Sequence, residues 1–359
     1  MCIYSNFIRP ILFQLDPEKA HALAHKFIVN GTSILAALGN KFIYPGKDLQ
    51  VSIFGNILSN PIGLAAGFDK NGDLVEALKY LGFSFAEIGS ITGQGHEGNP
   101  KPRLWRLPAD EGLINWLGLN NEGALKVSQK LAVSNFSIPI GITIAKTNKP
   151  NVTGEAIYED MLLSFRAIRH LPLLYVALNV SCPNTHDGVV EEAGILARVI
   201  EQISKENTVQ LPLVLKLSPD SNDELIEKMI QLGKSFSVAG YVCGNTSTSR
   251  EGLKTSGVKN IKNGGLSGPP LKPLALTLCR KVYELKENNQ IIMGCGGIRN
   301  GQDAYDFIRA GSTVLQIYTS LVYQGPSVVR KINEELSQLL KRDNLLLGQA
   351  IGIAARSRQ

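Results

Sequence analysis

Eight short apolar runs, set between Pro61 and Tyr318, constrain the fold of this chain more than any other feature. They are PIGLAAG (61–67), FAEIG (85–89), IPIGITI (138–144), LYVALNV (174–180), PLVLKL (212–217), GYVCG (240–244), IIMGCGG (291–297) and TVLQIY (313–318). Each has the length and continuity of a strand covered on both faces. Between most of them lie helical patterns such as DLVEALKYLG, MLLSFRAIRH, DELIEKMIQLGKSF and GQDAYDFIRAG. Eight strands alternating with helices argue for an α/β chain closed into a (β/α)8 TIM barrel. An open doubly wound sheet is the alternative, and the glycine-rich motif at the seventh run speaks against it. With 359 residues, 44% of them hydrophobic, the chain can bury a core of that size. No repeat, low-complexity stretch or linker divides residues 41–359, so they read as one barrel domain.

Residues 1–40 read as a separate helical extension. Asp16-Pro17 has the form of an N-cap followed by a first helical position, and PEKAHALAHKFIV carries apolar residues at helical spacing. A second short helix, TSILAAL, stops at Gly39. Ahead of both, FIRPILFQL holds more apolar surface than a free tail should. The residues alone leave two readings, packing on the barrel or contact with a membrane surface, and favour packing. A hairpin is expected next, LQVSIFG paired with ILSNP and turned around Gly55-Asn56.

Composition removes several classes of function. A net charge of +6 without a basic run argues against nucleic acid as a partner. Five scattered cysteines with no CxxC pair indicate neither a disulfide framework nor a metal site, and favour a reducing compartment. No apolar run approaches the roughly 18 residues of a membrane span. The N-terminus also lacks the arrangement of a cleavable signal peptide.

In such a barrel, chemistry belongs at the C-terminal ends of the strands. The first run ends in Ala66 and Gly67, which permit close backbone approach, and then Lys70. The second ends at Ser90, and the loop beyond it brings Asn115, Asn120 and Asn121 toward the mouth. The third delivers Thr143, and the sixth leads to Asn245 and Thr246. After the fourth comes a polar cluster, Asn179, Ser181, Cys182, Asn184 and Thr185 around Pro183. Cys182 is the one group there able to move a proton near neutral pH, since a thiol has a pKa of about 8.5. Taken alone it reads equally well as a buried cysteine in a turn.

GGLSG (264–268), CGGI (295–298) and Tyr318-Thr319 offer backbone N–H groups with few side chains in the way. Loops after strands seven and eight are where barrels bind phosphate. Lys216 stands inside an apolar run, and a buried ammonium needs an anion or strong acceptor. An electron-rich ring with a phosphate tail supplies both, and flavin mononucleotide (FMN) fits that description.

In these motifs the chain resembles the dihydroorotate dehydrogenases, FMN enzymes of pyrimidine synthesis, and among them the quinone-linked class 2. The resemblance spans essentially the whole chain. Its carriers are LFQLDPEKAH, PIGLAAGFDKNG, GNPKPRLWRL, EGLIN, NVSCPNT, LKLSPD, GGLSGPPL, GCGGI and LQIYTS. It implies that Ala66, Gly67, Lys70, Ser90, Thr143, Asn179, Lys216, Gly244, Gly268, Gly297, Tyr318 and Thr319 hold FMN. It implies that Lys70, Asn115, Leu119, Asn179, Asn184, Asn245 and Thr246 hold dihydroorotate or orotate, with Cys182 and Lys70 as catalytic residues. It further implies that residues 1–40 form a membrane-associated quinone tunnel, with His21 and Arg106 at the quinone end. This reverses the packing reading, and makes the protein peripheral on the cytoplasmic side of the cell membrane.

The chain also departs from that class. Cys182 stands where class 2 has a serine base, and Leu119 where it has phenylalanine; both are class 1 choices. Thr143 replaces an asparagine and Gly244 a threonine. ITGQGHEGN and HDGVVEE replace the usual loop sequences, the second in the segment expected to cover the substrate. A flavin dehydrogenase for another cyclic substrate, a flavin-free phosphate-binding lyase or isomerase, and an inactive scaffold are the competing readings. Retention of Lys70, Cys182 and Lys216 argues against the last.

Overall fold

The computed structural model describes residues 3–179 and 193–356. Its centre is a closed barrel of eight parallel strands that neighbour one another in chain order. These are β1 (Ile62–Leu64), β2 (Phe85–Ile91), β3 (Ile140–Ile144), β4 (Tyr175–Asn179), β5 (Leu213–Leu217), β6 (Gly240–Cys243), β7 (Ile291–Cys295) and β8 (Val314–Ile317). Every strand expected from the apolar runs is present. Their outward side chains meet helices such as Glu155–Ile168, Asp223–Ser235, Lys272–Leu285 and Gly301–Arg309 in one continuous apolar core.

The bottom of the barrel is closed by an antiparallel hairpin, Val51–Ile53 with Asn56–Leu58. Ile53 pairs with Asn56, so the turn residues are Phe54 and Gly55, one position earlier than expected. Both take positive φ, 48° and 75°, the conformation that matches the right-handed twist of a two-residue hairpin. Ile53 and Leu58 pack into the barrel against Phe85, Tyr175, Val214, Val242, Met293 and Val314.

DLVEALKYLG is not the α-helix its periodicity predicts. Asp69 takes the backbone N–H groups of Gly72, Asp73 and Leu74 onto its carboxylate, which holds the segment in tight turns. Only a 3₁₀ turn, Leu78–Leu81, follows.

Sequence periodicity also gave no sign of a three-stranded antiparallel sheet at the top. Leu104–Leu107 and Gly265–Ser267 flank Gly112–Asn115. The three strands come from the loops after β2 and β6, and the sheet overhangs the mouth.

At the N-terminus, α1 (Arg9–Gln14), α2 (Pro17–Asn30) and α3 (Thr32–Leu38) are joined by short turns. Asp16 caps α2 by accepting from Glu18 N and Lys19 N, as its position before Pro17 implies. Past Gly39 the chain continues for one 3₁₀ turn, to Lys41.

Candidate active site

The cavity at the C-terminal mouth gathers the side chains that the strand ends deliver. Its lining includes Ala66, Gly67, Lys70, Ser90, Asn115, Leu119, Asn179, Lys216, Gly244, Asn245, Thr246, Gly268, Gly297, Tyr318 and Thr319. Those fifteen positions come from seven of the eight strand ends and from the lid segments around Asn115 and Gly268, so closure of the barrel brings most of them together. Thr143 stands behind this wall, fully buried, beside Gly89 in the β2–β3 register and outside the lining. Its Oγ1 has no hydrogen-bond partner. Cys182 and Asn184 lie outside the described residues.

Local structure explains several of these placements. The β2–β3 register slips between Gly89 and Ile91, which leaves Ser90 out of the ladder and free to turn inward. Ser90 Oγ accepts from Asn179 Nδ2 at 2.9 Å, and Asn179 Oδ1 in turn accepts from Asn245 Nδ2 at 3.4 Å. Asn121, expected at the mouth, instead builds the loop: its amide bonds Thr92 Oγ1 and the Leu119 carbonyl. Gly244, at φ 145°, has no room for a side chain, since a Cβ would stand 1.8 Å from the Cys295 carbonyl oxygen. At Gly297, φ 78°, a Cβ would crowd Lys272 N at 2.7 Å. Ser320 Oγ and Thr246 Oγ1, both on the lining, are buried without a hydrogen-bond partner.

Lys216 meets a carboxylate that no strand-end motif announces. Its Nζ lies 3.0 Å from Glu87 Oε1 on β2, and Glu87 has no exposed surface. Glu87 Oε2 accepts from Tyr175 OH at 3.0 Å and Gln316 Nε2 at 2.8 Å. An acidic residue inside FAEIG and a lysine inside PLVLKL were the available signal, one charge of each sign at inward positions of apolar runs.

Burial and neighbours set the charge states. Burial, reinforced by the Arg103 guanidinium and opposed by Glu18, brings the Lys70 ammonium down to about 8. Burial alone pushes the Tyr318 hydroxyl up to about 12. Burial, aided by Lys70 and His25, lowers His21 to about 4, so its ring is neutral at physiological pH.

His21 and Arg106 stand on the side where the N-terminal helices dock. The His21 ring packs edge-on against Phe68 at 5.1 Å, and Phe68 likewise against Tyr318 at 5.3 Å, an aromatic path from α2 to the cavity wall. Arg106 donates to the carbonyls of Leu12, Phe13 and Leu15 at the end of α1 and covers the Phe13 ring. Arg103 forms a forked pair with Glu18 of α2, at 2.6 Å through Nη2 and 3.1 Å through Nε. His25 Nε2 faces Asp69 at 3.8 Å and Asp73 at 3.9 Å. Ten large apolar side chains between Ile3 and Ile43 are nevertheless exposed. Among the described residues no single helix is long and apolar enough to cross a membrane; α2 with the segment through Lys41, bent by 75°, reaches that length and composition only as a broken pair.

Fold and cavity define the class: a (β/α)8 barrel enzyme with a polar, glycine-lined site at the strand C-termini. The sequence profile of dihydroorotate dehydrogenase matches residues 48–340. A dihydroorotate dehydrogenase (quinone) of Gloeobacter violaceus is 38% identical over 351 residues, covering 96% of this chain and 98% of the relative. The mitochondrial dihydroorotate dehydrogenase (quinone) of Mus musculus is 36% identical, over 98% of this chain and 91% of its own. The crystal structure of the Eimeria tenella enzyme in complex with ferulenol superposes with a TM-score of 0.82 at 28% identity, covering 95% of this chain and 96% of that one. The chain belongs to the dihydroorotate dehydrogenase family. That membership makes it an oxidoreductase of a flavin-dependent family.

Proposed function

We propose that this protein oxidises dihydroorotate to orotate with a membrane quinone as electron acceptor, a step of pyrimidine biosynthesis, and holds FMN at the barrel mouth. One observation carries the reading. Lys70, Asn115, Asn179, Asn245 and Thr246 converge with the glycine-lined loops after β7 and β8 in a single cavity. The near full-length match to quinone-linked relatives supports the substrate and the acceptor.

The residues present fit FMN. Gly268, Gly297, Tyr318 and Thr319 form a loop cradle for a phosphate, and the unpartnered Ser320 Oγ adds a donor there. Ala66, Gly67, Ser90 and Gly244 line the wall open to a flat ring, with Lys216 beneath. A flavin held there would supply the acceptor for the hydride from C6 of dihydroorotate and the route for its electrons to quinone.

The chain's own work is to bind, orient and take a proton. The Lys70 ammonium, between the cofactor-lining and substrate-lining residues, suits the substrate carboxylate. Asn115, Asn179, Asn245 and the free Thr246 Oγ1 supply amide and hydroxyl groups for the ring. Cys182, three residues past Asn179 in the chain, is the base that takes the C5 proton; Asn184 completes the substrate set. A thiol ionises more readily than a serine hydroxyl, so it serves as base with a weaker activating network.

Residues 1–40 form the quinone access and rest on the cytoplasmic face of the membrane. Their exposed apolar side chains, and the aromatic path from His21 to Tyr318, support this assignment.

Anaerobic mixing with dihydroorotate tests the reading: the flavin absorbance should bleach, and a quinone should restore it. Cys182→Ala should keep its FMN yet bleach on the order of 10² to 10⁴ times more slowly, the loss typical of a missing general base. Protein that stays colourless after incubation with FMN would overturn the cofactor. Yellow protein that dihydroorotate does not bleach would overturn the substrate.

A further inference from the structure

Among the described residues Glu87 is the one acidic side chain in the barrel strands, wholly buried, and nothing in the proposed reaction uses it. Its carboxylate sits between two layers. Below lie Phe85, Val214, Met293 and Val314, which close the barrel from water. Above lies Lys216, 5% exposed and on the cavity lining. Oε1 meets Lys216 Nζ at 3.0 Å, while Oε2 is held by Tyr175 OH at 3.0 Å and Gln316 Nε2 at 2.8 Å. Gln316 Nε2 also reaches Tyr175 OH at 3.1 Å, so the carboxylate is locked in a closed hydrogen-bond ring.

A buried ion pair of this kind is weak evidence for stability, because apolar residues of similar volume would serve as well or better. The pair is explained instead by what it does to the cavity floor. We propose that Glu87 is a positioning residue that sets how much positive charge Lys216 presents to the bound flavin, and thereby the flavin's reduction potential. The inference rests on the FMN reading above.

Two-electron reduction makes the flavin ring electron-rich, and a nearby ammonium favours that form. Glu87 cannot swing away when the ligand binds, since Tyr175 and Gln316 fix its second oxygen. Lys216 is therefore shared between a fixed anion below and the ring above, in a region where charges interact more strongly than in water. Removing the anion leaves more of the ammonium's charge to the ring, and the potential rises. A potential held down by Glu87 favours onward delivery of electrons to quinone over retention on the flavin.

The test is an anaerobic dye-equilibrium titration of the holoprotein, parent against Glu87→Gln. The isosteric amide keeps the shape and removes the charge. The variant should favour reduced flavin by at least about tenfold, which for a two-electron couple is about 30 mV upward. Its flavin should reduce faster with dihydroorotate and reoxidise more slowly with quinone. A potential equal to the parent's overturns the proposal and leaves Glu87 a packing residue. If Glu87→Gln does not fold, Glu87→Asp decides: it keeps the charge but draws it back by one methylene, and its potential should lie above the parent's. An Asp variant at the parent value overturns the proposal equally. A parent that binds no FMN defeats the cofactor reading and this inference with it, and is told apart from the other failures because the parent itself is then colourless.

Discussion

Lys70 and Lys216 line one cavity in different electrostatic company. Lys216 has a fixed carboxylate beneath it; Lys70 has the Arg103 guanidinium as a like-charged neighbour, and burial with that neighbour brings it to about 8. Above pH 8 the ligand-free protein loses the Lys70 charge, so affinity for anionic orotate should fall as pH rises, by up to tenfold per unit until the bound-state pKa is reached. Calorimetric titration between pH 7 and 9.5 checks this, and Lys70→Met should bind weakly with that pH dependence lost. A parent profile that stays flat would remove Lys70 from the carboxylate. Its effect on stability has the opposite sign. Between about 8 and the ordinary lysine value the unfolded chain holds the proton more firmly, so the burial penalty, complete below pH 8, is relieved as pH rises through that window. Most cavity residues could be read from strand-end motifs. Glu87 carries a weaker signal, one acidic residue inside FAEIG, and its partner is defined only when the barrel closes and brings Lys216 across from a run 129 residues away.

At the scale of elements, the N-terminal unit joins two kinds of information. Its helices could be read locally: Asp16-Pro17 begins α2 and its side chain closes the first turn. Its docking could not, since Arg103 and Arg106 reach it from the lid sheet, a structure that no periodicity announced. Arg106 donates to carbonyl groups at the end of α1, where a helix runs out of its own N–H donors, and Arg103 fixes the first turn of α2. Deleting residues 1–40 should therefore impair quinone reduction and vesicle binding while flavin reduction by dihydroorotate persists. Stopped-flow measurement of the two half-reactions on FMN-loaded protein checks it, and equal loss in both would remove the dedicated quinone role. DLVEALKYLG carries the opposite lesson. Its helical period was genuine, but the Asp69 carboxylate competes for the first backbone N–H groups and wins.

Over the whole molecule, the hairpin that seals the barrel bottom supports everything above it. Leu58 is 1% exposed and Ile53 2%, both in the cluster that carries Tyr175, the hydroxyl partner of Glu87. Leu58→Ala leaves a cavity in that layer and should cost about 2–5 kcal/mol of stability, read from urea unfolding. A loss below about 1 kcal/mol would show that the plug relaxes into the space and does not bear on the barrel. The mouth lies at the opposite end, so orotate affinity should change little in the folded variant.

The sequence by itself determined the barrel, its strand count and most of the residues at its mouth. These follow from local signals: apolar runs of strand length, helical spacing between them, and polar residues where each run ends. Closure then requires all eight ends to face one cavity, whatever the loops do. Tertiary structure decided what depends on residues far apart in the chain. The ring of Glu87, Lys216, Tyr175 and Gln316, the lid sheet assembled from two loops, and the anchoring of α1 and α2 by Arg103 and Arg106 are all of this kind. A buried charge and an unbonded helix end need a partner of the right chemistry, but neither specifies from which part of the chain it comes; the fold does.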